Sequence, residues 1–143
     1  MSVLQLSVFV ENKSGRLAEI TDIIAKANID IRALSIADTT DFGILRLVVD
    51  KPAEAEKTLK DKGLTVSLTE VIAVGIPDKP GGFADTMRVL SENGISIEYM
   101  YAFVTRDTER AYLIMRVMDN ETAASVLKEN GYELLSEESV YRM

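Results

Sequence analysis

Residues 3–10 are apolar and partly alternating, the period-two pattern of a strand, and the polar stretch Glu11 to Gly15 turns the chain. Leu17, Ile20, Ile24 and Ala27 then recur at spacings of 3, 4 and 3, which places them on one face of a helix. Asn28, a residue that tolerates the left-handed cap conformation, ends that helix. The pattern next predicts a strand over Ile29 to Ala37, a turn over Thr39 to Gly43 and a strand over Ile44 to Val49. Pro52 sits where a first helical residue would, Ala55 and Leu59 supply a buried face, Gly63 stops the helix, and a strand runs from Leu64. The order is β-α-β-β-α-β.

The second half repeats it. FVENKSGRLAEITDIIAKANIDIRAL (Phe9 to Leu34) aligns without gaps with GIPDKPGGFADTMRVLSENGISIEYM (Gly75 to Met100) at an offset of 66. ILRLVVD (Ile44 to Asp50) pairs with LIMRVMD (Leu113 to Asp119) at an offset of 69, and Lys62-Gly63 with Asn130-Gly131. The expected elements are Val71–Ile76, Gly81–Asn93, Ile95–Thr105, Arg110–Met118, Glu121–Asn130 and Tyr132–Tyr141. The chain thus divides into two α+β modules, residues 1–70 and 71–143, each an antiparallel sheet with its helices on one face, the ferredoxin-like arrangement. No flexible linker separates them, so the junction near Glu70 is expected to hold them as one rigid unit.

Composition narrows the chemistry. Across 143 residues there is no Cys and no His, which excludes disulfides, thiolate nucleophiles, His-based triads and the usual imidazole or thiolate metal sites. No catalytic residue, metal or cofactor is expected. The net charge of −7 divides into −2 over residues 1–71 (9 basic, 11 acidic) and −5 over 72–143 (7 basic, 12 acidic). Neither half carries the basic field that nucleic acid requires. No apolar run approaches the ~20 residues of a membrane span, and the first residues read as a strand rather than a leader, so a cytoplasmic protein is expected.

The informative positions are the turns after the first strand of each repeat, Asn12-Lys13-Ser14-Gly15 and Asp78-Lys79-Pro80-Gly81. Glycine lets backbone approach a ligand closely, and a helix start offers unpaired N–H groups and partial positive charge, which suit a carboxylate. Asn12 or Asp78 could accept from an ammonium group. The same residue types also serve as ordinary helix caps. Tyr99, Tyr101 and Phe103 alternate on one strand with Tyr112 on the next, a stripe that fits a core, a ligand pocket or a partner surface, and the run Glu133 to Glu138 reads as solvated strand and turn.

NKSGRLAEITDIIAKANIDI (Asn12 to Ile31) and DKPGGFADTMRVLSENGISI (Asp78 to Ile97) resemble a tandem pair of ACT domains over nearly the whole chain. In that family units pair with one another, and small ligands, usually amino acids, bind between them and regulate an attached enzyme. The resemblance implies ligand contacts at Asn12, Gly15, Arg16 and Leu17 with Asn28, Ile29 and Asp30, and at Asp78, Gly81, Gly82 and Phe83 with Gly94, Ile95 and Ser96. Ser14 stands where the family often has Pro, and Ser96 where the first repeat has Asp30, so the two sites are not chemically equal. The expectation is an amino-acid-binding regulatory protein with its ligand at the interface between the modules, and a homodimer through the edge strands Ile29 to Ala37 and Ile95 to Thr105. The alternative is a regulatory interaction subunit of a separate amino-acid biosynthetic enzyme.

Overall fold

The computed structural model describes residues 2–11, 13–38, 42–103, 105 and 109–142. Along the chain run β1 (Val3–Glu11), α1 (Arg16–Lys26), β2 (Ile31–Asp38), β3 (Phe42–Val49), α2 (Pro52–Asp61), β4 (Val66–Pro77), α3 (Gly82–Glu92), β5 (Ile97–Phe103), β6 (Arg110–Val117), α4 (Asn120–Glu129), β7 (Glu133–Leu134) and α5 (Glu137–Arg142). Two compact units form, one of Leu4–Thr69 and one of the chain from Glu70 onward with the residues before Leu4, and the division falls inside β4.

In the first unit β1 and β2 flank β3, both antiparallel to it, and Phe9 N–H donates to the Thr65 carbonyl at 3.0 Å, placing the approach to β4 beside β1. Val8 lies opposite Leu45 and Leu6 opposite Leu47, so these side chains share one face. α1 and α2 pack together on that face, and Ile20, Ile24, Ala55 and Leu59 close the core over Leu6, Val8, Val10, Leu45 and Leu47. The second unit repeats the plan. β6 lies between β4 and β5, Val74 opposes Leu113, and Leu113 opposes Ala102. α3 and α4 pack together, with Leu90, Ala123 and Leu127 in a core with Ile72, Val74, Ile76, Leu113 and Met115. Each unit is a β-α-β-β-α-β module of α+β class.

The first four helices end alike. At the end of α1, Asn28 at φ 58° and Ile29 donate to the Ala25 and Ile24 carbonyls at 3.0 and 3.2 Å. This is the paired bonding of a Schellman cap, with its apolar contact between Ile29 and Ile24 in the core. Gly63, Gly94 and Gly131 occupy the same position after α2, α3 and α4, at φ of 83°, 69° and 84°.

Three expectations are corrected. Val8 and Val74, 66 apart, face Leu45 and Leu113, which are 68 apart. The third strands therefore align at 68, not 69, since a slip of one residue would turn every buried side chain to the other face. Tyr132–Tyr141 is not a strand: β7 has two residues, and α5 begins where Ser136 Oγ accepts from Ser139 N–H at 3.1 Å. Leu17 is not on the buried face of α1; it is 41% exposed, while Ile20 and Ile24 are buried. The expected turn over Thr39 to Gly43 falls mostly outside the described residues, and Gly43 itself pairs within β3.

Candidate ligand-binding loops and their cavities

The loops entering α1 and α3 have the same backbone. Gly15 and Gly81 are the N-caps, at φ 83° and 88°, a left-handed conformation in which an L side chain is strained. Arg16 N–H donates to the Lys13 carbonyl at 3.2 Å, and Gly82 N–H to the Lys79 carbonyl at 3.0 Å. Neither helix has a side-chain cap. Ser14 and Asp78 are therefore not caps; Asn12 lies outside the described residues. The first helical bonds come from Glu19 and Asp85, so the N–H groups of Leu17, Ala18, Phe83 and Ala84 have no acceptor among the described residues. They are the orphan donors of a helix start.

A cavity opens beside each loop, at equivalent places. One of about 220 Å³ is lined by Val10, Glu11, Lys13, Arg16, Leu17, Ile36 and Gly43. The other, of about 420 Å³, includes Ile76, Pro77, Lys79, Phe83, Ala102 and Ala111, the repeat counterparts of all of these but Arg16. Asp78, Met100, Tyr101 and Leu113 complete it. The first is charged. Lys13 pairs with Glu11 at 2.8 Å, Arg16 with Glu19 at 3.2 Å, and the Lys13 ammonium holds the Glu11 carboxyl below its ordinary range. Arg16 Nε is buried without a partner among the described residues. In the second, Asp78 and Lys79 are exposed and make no ion pair among the described residues, and the rest of the lining is apolar or aromatic. One negative and one positive group, without an ion-pair partner among the described residues, thus stand at the mouth of an apolar recess. A further cavity of about 380 Å³ holds Arg110 and Glu133, which pair with each other.

The expected residues divide into two groups. Arg16 and Leu17 line the first cavity, Asp78 and Phe83 the second, and Gly15, Gly81 and Gly82 shape the loops. Asn28, Ile29 and Asp30 lie at the other end of α1, and Gly94, Ile95 and Ser96 at the other end of α3. An 11-residue helix separates its ends by roughly 16 Å, so within one unit these segments do not join the loops. Asn28, Ile29, Gly94 and Ile95 are helix caps, and Asp30 is tied down: its carboxylate accepts from Arg32 at 2.8 Å and its N–H donates to Asp50 at 2.9 Å. Lys79, Met100, Ala102, Ala111 and Leu113 are absent from the expected set. The match of Lys13 to Lys79 across the repeat marks the lysine, whereas the strand residues are marked only by the register. Of the aromatic stripe, Phe103 and Tyr112 are buried with ring centroids 5.7 Å apart, and Tyr101 reaches the cavity.

Among the described residues no cluster of three or more His, Cys, Asp or Glu could hold a metal, and no helix is long and apolar enough to cross a membrane.

The family description "ACT domain pair" matches residues 1–143. The crystal structure of protein BT0572 from Bacteroides thetaiotaomicron is similar at 42% identity and TM-score 0.94, over 100% of this chain and 98% of that one. The ligand-free regulatory subunit of aspartate kinase from Thermus thermophilus shares the fold at 17% identity and TM-score 0.67, over 90% of this chain and 92% of its own. The regulatory subunit of aspartate kinase from Thermus flavus does so at 17% and 0.64, over 87% and 88%. No curated protein is significantly similar to the chain.

Proposed function

The chain belongs to the family of ACT domain pairs, and on that premise we propose that it is a regulatory protein, not an enzyme, that binds a free amino acid at its glycine-opened loops. The observation that carries this reading is the pair of equivalent cavities beside α1 and α3, the second with the exposed charges of Asp78 and Lys79 at its mouth. The orphan N–H groups of Phe83 and Ala84, with Lys79, suit the carboxylate of a zwitterion. The Asp78 carboxylate suits its ammonium group. A cytoplasmic location and no bound cofactor go with this role.

The same protein would act as a homodimer. Among the described residues β2 pairs only with β3, and β5 only with β6, so each offers an outer edge. A second reading, a regulatory subunit of a separate amino-acid biosynthetic enzyme, draws on the exposed apolar residues Leu34 and Ile36 along β2, at 53% and 50%. It also draws on the two aspartate kinase regulatory subunits that share the fold.

The test is calorimetry against the twenty amino acids. A charge-assisted hydrogen bond is worth about 1.5–3 kcal/mol, so Asp78→Ala is expected to weaken binding roughly 10- to 150-fold. Glu137→Ala, in α5, leaves it unchanged. Equal affinity in wild type and Asp78→Ala would remove the second loop from the site.

A further inference from the structure

The two cavities differ in ways that bear on which amino acid is bound, a choice that rests on the proposed binding of an amino acid at these loops. The second is nearly twice the volume of the first, about 420 against 220 Å³. Only the larger lies within the range of roughly 300–1,000 Å³ typical of small-molecule sites. Two exchanges across the repeat put a smaller residue at the second loop and its cavity. Ala102 stands where the first repeat carries Ile36, and Gly82 where it carries Arg16.

The larger cavity is also graded in polarity. Its charged groups, Asp78 and Lys79, sit at the loop. Its body is the helix-side face of the sheet, where Ile76 opposes Ala111 and Leu113 opposes Ala102. Ile76 and Leu113 are 3% and 5% exposed, so they form the floor. Met100 is partly buried at one side, and Phe83, from the first turn of α3, is 49% exposed over the mouth. A polar or charged side chain placed on that floor would lose its water and find no partner. An apolar side chain would rest on the Ile76 and Leu113 floor and release water chiefly from the exposed Phe83 ring.

We infer that the second repeat's cavity selects amino acids with an apolar side chain of the size of Val, Leu, Ile, Met or Phe, and that the first repeat's cavity does not hold such a side chain. Ala102 is the specificity-determining position, because it sets the depth available beside Leu113. One ligand binds per chain.

The test is calorimetry with Leu, Ile, Val, Met, Phe, Gly, Ser, Asp and Lys on the wild-type chain and on Ala102→Ile. That variant puts at an exposed strand position the residue that the first repeat carries there, and circular dichroism verifies its fold; Ala102→Val is the smaller step. Burying a side chain of this kind is expected to make the best apolar amino acid bind roughly 10- to 150-fold tighter than Gly. Ser, Asp and Lys bind no better than Gly. Ala102→Ile loses roughly tenfold or more for Leu and Phe and nothing for Gly. A polar or charged amino acid binding tightest, two ligands per chain, or an Ala102→Ile variant with undiminished affinity for Leu would overturn the inference and leave amino-acid binding standing. Failure of all nine to bind would overturn the inference, and failure of all twenty would remove the amino-acid reading with it.

Discussion

At Gly82 the two repeats part company most sharply. A Cβ there would lie 2.2 Å from the carbonyl oxygen of Pro77, a backbone atom that cannot swing aside. The first turn of α3 is therefore seated directly on the end of β4, whereas the first repeat has Arg16 in that place. Gly82→Ala is expected to lose about 1–3 kcal/mol, the usual cost of overpacking a tight contact, read as a lower urea midpoint. Gly81→Ala meets no atom within 4 Å and is expected to lose only the ~1–2 kcal/mol of its left-handed backbone. A Gly82→Ala variant as stable as wild type would mean that the seat is not tight. The loops themselves were legible in the sequence, because Gly15 and Gly81 recur with a polar residue three places before. Asn28, Gly94 and their neighbours were equally visible, but the same residue types make Schellman caps, and one chain read alone does not separate a cap from a contact. The strand residues of the larger cavity come from β5 and β6 and carry no local mark. They become visible only when the register shows that Ala102, Ala111 and Leu113 share a face.

Element types and their order were legible from hydrophobic period, since cores over Ile20 and Ile24, or over Ala55 and Leu59, need that spacing. Two elements depart from their sequence pattern for physical reasons. The third-strand alignment at 69 rests on matching Asp50 to Asp119, two residues with different tasks. Asp50 accepts from Asp30 N–H and so fastens the start of β2, while Asp119 is the N-cap of α4. Its Oδ2 accepts from Thr122 Oγ1 at 2.6 Å and its Oδ1 from Thr122 N–H at 3.2 Å. The α5 start is hidden within Glu133 to Glu138 when that run is taken as merely solvated. Ser136 followed by Glu137 and Glu138 is a helix-start signature, a cap with negative charge in the first turn. The Asp119 cap makes a prediction about acid. Its bonds to Thr122 hold the carboxyl below its ordinary range. A folded pKa depressed in this way stabilises above the unfolded value and ceases to do so as pH falls through the carboxylate range, about pH 4 and below. Asp119→Asn keeps a cap but removes the titration. Melting temperature followed from pH 6 down to about pH 3 should therefore fall less in the variant than in wild type. Identical acid slopes would show that the cap adds nothing to the pH dependence.

For the whole molecule, the question is which surface meets a second copy. Of the two candidate edges, β2 presents the more apolar one. Leu34 and Ile36 lie on the helix side of the sheet opposite Leu47 and Leu45, yet remain 53% and 50% exposed, because α1 and α2 do not reach over the edge strand. The corresponding positions of β5 are Met100, partly buried, and Ala102, which offers little surface. An edge with unpaired backbone groups and flanking apolar side chains is the kind natural proteins cover. A symmetric pairing of two β2 strands would bury the same patch from both copies. β2 carries Arg32, with its guanidinium on Asp30 at 2.8 Å, but no lysine and no proline that would block such pairing. Sedimentation at tens of micromolar is expected to give a species of twice the 15.8 kDa chain. Leu34→Glu would place a carboxylate against its own symmetry mate and should return the chain to monomer. It lies outside the cavities, so the variant keeps its fold and its amino-acid affinity if each unit binds by itself. A wild-type chain that sediments as a monomer at that concentration would refute pairing through β2. A Leu34→Glu dimer would move the interface elsewhere. A monomeric Leu34→Glu chain that no longer binds an amino acid would show that the ligand site needs the second copy.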